Sequence, residues 1–429
     1  MSTDLSRRSL AAVWHPCTQM ARAAHLPPLA IARGEGAWLY DVQGRRYFDA
    51  NSSWWVNLLG HSDAGLLDAI KRQLDTLPHV MLAGCTHEPA VRLAERLSAR
   101  TGGELGHAFF GSDGASAVEI ALKMSFHSWR NRGRDAKREF VCLQNGYHGE
   151  TIGALAVTDV QIFRDAYDPL LMRAHIAASP DARLGNEVEA LAAMRALLET
   201  RSATIAAVIV EPLVQGAAGM VMYSPSYLQG LRELTHEFGV HLIVDEIAMG
   251  CGRTGSFFAY EQAGASEWPD FILLSKGITG GTMPLSIVLT SDDVYAAFWS
   301  EDVSRGFLHS HSYTGNPLAC AAANAVLDRF DAGLLARVGE QAALLGKAFE
   351  PLARDNRVRH FRQRGTVLAF DMAEPGERFS ERFHVAARRH ELLIRPIGST
   401  VYLMPPYLID AASAQWLAVA VTATLNDVA

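Results

Sequence analysis

The sequence predicts an α/β protein built on a doubly wound, mainly parallel sheet. Two observations predict it. From about residue 60 onward, short apolar runs alternate with longer helical stretches. The runs are bounded by turns and lack polar alternation, as strands buried on both faces do.

The elements follow in order. Residues 29–50 read as a short antiparallel piece, with residues 37–41 and 45–49 flanking a turn at Gln43-Gly44. Pro89 stands near the start of a helix that runs toward Gly102-Gly103. Residues 140–143, 205–210, 241–244, 271–274 and 285–289 read as buried strands, hence mainly parallel. Ser224-Pro225 opens a helix that ends at Gly239, and Asn316-Pro317 opens another. After about residue 330 helices dominate, with strands near 366–372 and 401–404, which suits a smaller C-terminal domain. The apolar stretch 416–425 reads as a buried helix, and there is no internal repeat or flexible linker.

Composition narrows the function. The 429 residues are 49% hydrophobic and 20% charged, which excludes a disordered chain. The net charge of -7 gives no basic surplus for nucleic acid or an anionic membrane. No apolar run reaches the roughly 18 residues a membrane span needs. Ser6-Arg7-Arg8-Ser9-Leu10 imitates a twin-arginine signal, but His15-Pro16 cuts off the apolar region such a signal requires. Cysteines at 17, 85, 142, 251 and 320 form no CxxC pair, so neither a zinc ribbon nor a disulfide framework is expected, and a reducing cytoplasm fits.

In open α/β sheets, ligands bind beyond the carboxyl ends of the strands. Three such ends carry chemistry. Residues 240–244 lead into Asp245-Glu246, and residues 270–275 into Lys276-Gly277, where Gly277 is expected to turn the chain. Residues 108–110 lead into Gly111-Ser112-Asp113-Gly114-Ala115-Ser116 and an amphipathic helix. That turn offers free N–H groups and a positive dipole end to a phosphate. A lysine in a poorly hydrated crevice loses part of its charge preference and becomes a Schiff-base nucleophile. A neighbouring aspartate can hydrogen-bond a protonated ring nitrogen. Pyridoxal phosphate has all three matching features: an aldehyde, a ring nitrogen and a phosphate.

Other patterns are weaker. Residues 250–255 match G-x-G-x-x-G, but the next strand ends in Ser275-Lys276 where a dinucleotide site wants an acid. His309-Ser310-His311 lacks a cluster to complete a metal site and reads as a loop histidine pair. Trp54 and Trp55 are adjacent and point in different directions, so one can line a pocket while the other joins the core.

Four motifs carry a resemblance: Asp245-Glu246-Ile247, Gly252-Arg253-Thr254-Gly255, Ser275-Lys276-Gly277 and Gly315-Asn316-Pro317-Leu318-Ala319-Cys320. In this order they resemble the class III pyridoxal-phosphate aminotransferases of fold type I, over nearly the whole chain. Trp14-His15-Pro16, Ser52-Ser53-Trp54-Trp55, Gly280-Gly281-Thr282-Met283 and residues 402–407 resemble the branch that makes 7,8-diaminononanoate in biotin synthesis, with S-adenosylmethionine as donor. The resemblance implies a large domain with a mainly parallel seven-stranded sheet over residues 60–325. It implies a smaller α/β domain over 326–429, joined by an N-terminal segment, 1–59.

It also implies roles. Lys276 bonds the cofactor and shuttles a proton. Asp245 keeps the ring nitrogen protonated. Gly114 and Ala115 hold the phosphate, and Tyr147 stacks on the ring and faces substrate. His311 and Ser312 reach the phosphate of a partner subunit's cofactor, so the enzyme is a homodimer with shared active sites and small-molecule substrates. Trp54 and Ser310 border the substrate, and Arg395 takes its carboxylate. Cys17 stands where relatives often have a substrate-contacting tyrosine. Ser310 and Ser312 replace a common glycine and threonine. Relatives acting on ornithine or 4-aminobutyrate carry an acid after Gln-Gly or Gln-Ser that pairs with the arginine; here Gln215-Gly216 is followed by Ala217. This favours the biotin-pathway reading over class III relatives acting on diamines, lysine or ω-amino acids.

Overall fold

The computed structural model describes residues 4–23 and 25–428. A seven-stranded sheet forms its centre. Its spatial order is His107–Gly111, Ser286–Thr290, Phe271–Leu274, His241–Asp245, Ile205–Val210, Glu139–Leu143 and His175–Ala177. Phe271–Leu274, His241–Asp245 and Ile205–Val210 are buried at every position, as uninterrupted apolar runs require. Helices cover both faces, with separate apolar cores on the two sides.

One predicted strand differs in direction. Ser286–Thr290 runs antiparallel to both Phe271–Leu274 and His107–Gly111, while the other pairings in the sheet are parallel. Burial on both faces does not encode direction. The segment joining it to Phe271–Leu274 is too short for a crossover helix, so the chain must fold straight back.

The helix punctuation is local and behaves as such. Asn316 caps Pro317–Asp331 by accepting from the N–H groups of Leu318 and Ala319. Ser224 caps Pro225–Glu237, and Gly239 follows that helix at φ +58°. Residues 416–425 lie within the helix Ala411–Val428.

Around residues 31–49 the expected antiparallel piece gains a further strand, Ile31–Glu35, ahead of Trp38–Asp41 and Arg46–Asp49. Arg46–Asp49 also pairs in parallel with Leu392–Leu393. Phe48 and Ala50 share a core with Phe370, Phe383 and Leu417. The N-terminal strands thus pack with the C-terminal region, whose sheet is Val358–Arg364, Val367–Met372 and Thr400–Leu403.

The next turn is strained. Ser52, Ser53, Trp54 and Trp55 have φ of 49°, 47°, 72° and 74°, a single left-handed turn without glycine. Such geometry costs L-residues about 1–2 kcal/mol each. Buried partners hold it. Asp49 accepts from the Ser53 N–H at 2.8 Å and its hydroxyl at 2.6 Å. The Ser52 hydroxyl donates to the Met404 carbonyl at 2.7 Å, and Trp55 Nε1 donates to the Tyr402 hydroxyl at 3.0 Å. Arg253, fully buried and without a carboxylate partner among the described residues, donates to the carbonyls of Pro405 at 2.6 Å and Asn57 at 2.9 Å.

Asp49→Ala removes the buried acceptor of the Ser53 N–H and hydroxyl. It should lower stability by about 1–3 kcal/mol, read from the denaturant midpoint. An unchanged midpoint would show that the turn is held without Asp49.

Candidate active site

Four neighbouring strands deliver their chemistry to one end of the sheet. Lys276 follows Phe271–Leu274, Asp245 ends His241–Asp245, and Glu211 follows Ile205–Val210. His148 lies in the loop after Glu139–Leu143. The register places Asp245 opposite Leu273 and Val244 opposite Val210, so these groups are near neighbours.

Asp245 is buried and doubly held. Its Oδ2 lies 2.7 Å from His148 Nδ1, and its Oδ1 accepts the Ile247 N–H at 3.1 Å. Glu211 accepts N–H groups from Tyr147 at 3.0 Å and Gly216 at 2.8 Å. Burial pushes its carboxyl up to about 7, against the pull of His148 and those two donors. Burial also pulls the Lys276 ammonium below the usual lysine range, while Asp245 and Glu211 oppose that shift. The amine makes no hydrogen bond within the described residues. Its Nζ sits 5.3 Å from the centroid of the Trp55 ring.

The backbone turns here by another means than expected. The left-handed residue is Lys276 itself, at φ +46°. Gly277 is closely packed: a Cβ there would come within 3.1 Å of Leu58 Cδ1, which would have to give way.

The predicted phosphate turn opens the 18-residue helix Gly114–Asn131. Asp113 caps it by accepting from the Ser116 N–H and hydroxyl, both at 2.9 Å. The N–H groups of Gly114 and Ala115 find no acceptor among the described residues and face outward at the positive helix end. Gly149 passes close by at φ +123°; a Cβ on it would meet Ala115 Cβ at 2.7 Å.

The substrate side is assembled from distant segments. The Tyr147 hydroxyl donates to Glu150 at 2.9 Å, and burial followed by Glu150 raises its pKa. Cys17, at φ +47°, has a thiol raised first by partial burial and then by Glu150, with Arg395 opposing. Arg395 donates its N–H to Asn51 Oδ1 at 2.7 Å, and its exposed guanidinium reaches the Cys17 carbonyl at 3.3 Å. Of the two tryptophans, Trp55 is buried beneath Lys276, whereas Trp54 is 51% exposed.

The structure thus brings together Lys276, Asp245 and Tyr147, and it sets Cys17 against Arg395. His311 lies beside the phosphate turn of its own chain, with Nδ1 3.2 Å from Ser112 Oγ. Ser310 and Ser312 are exposed on that segment. Sequence reasoning gave no role to His148, Glu211 and Glu150, and left open which of Trp54 and Trp55 lines the pocket. The first two had a usable signal, since Glu211 directly follows a strand and His148 is next to Tyr147, already singled out.

These residues fit pyridoxal phosphate. A free buried amine, a carboxylate with lone pairs to spare and two unsatisfied N–H groups at a helix start correspond to its aldehyde, ring nitrogen and phosphate. No group of three or more potential metal ligands exists among the described residues.

Comparison with known proteins agrees with this geometry. The family profile for class-III aminotransferases matches residues 19–425. A Helicobacter pylori protein named adenosylmethionine-8-amino-7-oxononanoate aminotransferase is 42% identical over 418 residues, covering 95% of this chain and 94% of its own. A Geobacter sulfurreducens protein of the same name is 36% identical, covering 94% and 93%. The crystal structure of the Methanocaldococcus jannaschii enzyme of that name superposes with a TM-score of 0.95 at 34% identity, over 99% of each chain. A PLP-bound amine transaminase from an uncultivated Pseudomonas species gives 0.92 at 31% identity, over 97% of this chain and 99% of its own. With profile, relatives and strand-end geometry in agreement, this chain belongs to the class-III aminotransferases.

Proposed function

We propose that this enzyme transfers an amino group from S-adenosylmethionine to 8-amino-7-oxononanoate, giving 7,8-diaminononanoate for biotin biosynthesis, with pyridoxal phosphate as cofactor. Full-length relatives bearing that name support the reading. The observation that carries it is Arg395. No described carboxylate lies within ion-pair distance of its guanidinium, and Ala217 leaves no acid after Gln215-Gly216. The fork is free for the far carboxylate of a long keto acid.

When bound, pyridoxal phosphate supplies an aldehyde for amines and a ring that withdraws electrons from the substrate carbon. Lys276 Nζ would hold the aldehyde and, once an incoming amine displaces it, its free amine would take and return the proton at the substrate carbon. Its lowered pKa suits both tasks. Asp245, fixed by His148, holds the proton on the ring nitrogen. Gly114 and Ala115 bind the phosphate. Tyr147 covers the ring, and Trp54 and Ser310 border the substrate beside Cys17.

We further propose a homodimer with shared sites, in which the segment holding His311 and Ser312 lies at the partner's cofactor phosphate. Exposed Trp299, Val303, Leu308 and Tyr313 on the same stretch support a protein-covered surface there. In our division of the chain, residues 60–325 hold the cofactor. Residues 326–429 with 1–59 bring Arg395 and Cys17 to the substrate. No described helix is long and apolar enough to cross a membrane, and all five cysteines are unpaired, which supports a cytoplasmic location.

Three outcomes test these roles. Borohydride reduction followed by peptide mapping should label Lys276, and Lys276→Ala should abolish turnover; label on another lysine would remove the assignment. Asp245→Asn should keep the fold yet slow single-turnover proton transfer about 10- to 100-fold, the worth of one charged hydrogen bond; a parental rate contradicts its role. Arg395→Ala should reduce efficiency with 8-amino-7-oxononanoate at least about tenfold and leave the cofactor absorbance intact. Full activity, or loss of cofactor in place of activity, would place the substrate carboxylate elsewhere.

A further inference from the structure

A cavity of about 720 Å³ opens between the N-terminal segment and residues 388–391, and no residue of the site described above lines it. Strand pairing brings its two sides together. Arg46–Asp49 pairs in parallel with Leu392–Leu393, and the Phe48 N–H donates to the Glu391 carbonyl at 2.7 Å. Four arginines line the cavity, Arg45, Arg46, Arg388 and Arg389, against one acid, Glu391. Pro27, Pro28 and Leu29 add an apolar wall.

Three of the arginines have acids at the surface. Arg45 meets Asp41 at 2.8 Å, Arg46 meets Glu391 at 3.0 Å and Arg389 meets Asp427 at 3.4 Å. All three arginine side chains are exposed, and such pairs are worth about 0–1 kcal/mol each, so an incoming anion redirects them at little cost. Arg388 differs. It is partly buried, and no described carboxylate lies within ion-pair distance of it. Its Nη2 donates to His384 Nε2 at 2.7 Å. His384 Nδ1 in turn donates to the Ile394 carbonyl at 2.8 Å. Burial, followed by Arg388, pulls His384 down to about 4, so that ring is neutral and adds no negative charge. Burial pulls the Arg388 guanidinium below the usual arginine range; Tyr47 opposes this, while Arg395 and Arg45 add to it. A guanidinium does not give up its proton in a protein. Arg388 is therefore a positive charge withdrawn from water, crowded by like charges and left without a counter-ion, a costly state that an anion relieves.

We propose that this cavity binds a phosphorylated small molecule, whose phosphate pairs with Arg388 and draws in Arg45 and Arg389. Several guanidinium forks around one space suit a dianion with three acceptor oxygens, whereas a carboxylate is satisfied by a single fork. The volume falls within the range of about 300–1,000 Å³ typical of small-molecule sites and exceeds what phosphate alone fills. The organic body of the ligand lies against the proline wall.

Titration calorimetry of the cofactor-loaded enzyme tests it, with phenyl phosphate as the probe and inorganic phosphate and benzoate for comparison. Bound cofactor keeps the probe from the Gly114–Ala115 turn. Phenyl phosphate should bind saturably, more tightly than inorganic phosphate and about tenfold more tightly than benzoate. Arg388→Met should weaken it at least about tenfold, the lower end for a hydrogen bond to a charged group. The exposed Arg45→Ala and Arg389→Ala should each weaken it about two- to fivefold with parental unfolding midpoints, and they decide the matter should Arg388→Met fail to fold. Arg395→Ala should bind the probe as the parent does, which separates this cavity from the substrate pocket. No saturable binding, benzoate bound as tightly as phenyl phosphate, parental affinity in both Arg45→Ala and Arg389→Ala, or loss of binding in Arg395→Ala would overturn the proposal.

Discussion

The site depends on keeping an amine and two carboxylates together out of water. Lys276, Asp245 and Glu211 stand at three adjacent strand ends. Burial penalises the charged forms of Lys276 and Glu211; attraction to the two carboxylates opposes the penalty on Lys276, whereas Asp245 adds to the one on Glu211. The balance falls differently on Lys276 and Glu211. Lys276 moves toward the neutral amine a nucleophile needs. Glu211 rises to about 7 although two N–H groups donate to it. Asp245 is fixed between His148 and the Ile247 N–H. The parallel strands explain the convergence: all their carboxyl ends open on one side, so one residue past each strand suffices to build the site.

Around this pocket the chain tolerates strain where it must close. Lys276 adopts φ +46°, and the turn Ser52 to Trp55 is left-handed throughout. That turn places the Trp55 ring against Lys276 and leaves Trp54 facing outward. Besides Asp49, its supports are Tyr402 and Met404, more than three hundred positions away. Arg253 ties the same two segments through the carbonyls of Asn57 and Pro405. The motif containing it imitates a dinucleotide loop in sequence, yet its arginine serves as a buried clamp. Strain stored beside reacting groups and opposed by surrounding bonds is a common property of functional sites.

Much of this was legible in the sequence where the signal was local. Uninterrupted apolar runs located the strands, and Asn316, Ser224 and Gly239 marked helix ends. Asp245, Lys276 and the Gly114–Ala115 turn were readable because strand-end position alone implies proximity. What depended on distant packing was not. The antiparallel direction of Ser286–Thr290 follows from the short connection before it. Val358–Arg364 is a strand despite its many charged and polar residues, because it pairs with Val367–Met372. Gly277 looked like a hinge, but Leu58 explains it. Trp55 and Trp54 were indistinguishable until the left-handed turn fixed which one faces Lys276.

The geometry and the relatives converge on one amino transfer, with Arg395 open to a far carboxylate. Its most direct test follows the cofactor absorbance of the purified enzyme as single substrates are added in turn. S-adenosylmethionine should discharge the absorbance near 420 nm expected of lysine-bound pyridoxal phosphate, and 8-amino-7-oxononanoate should then restore it with formation of 7,8-diaminononanoate. An enzyme unresponsive to both, yet discharged by a diamine, lysine or an ω-amino acid, would contradict the account.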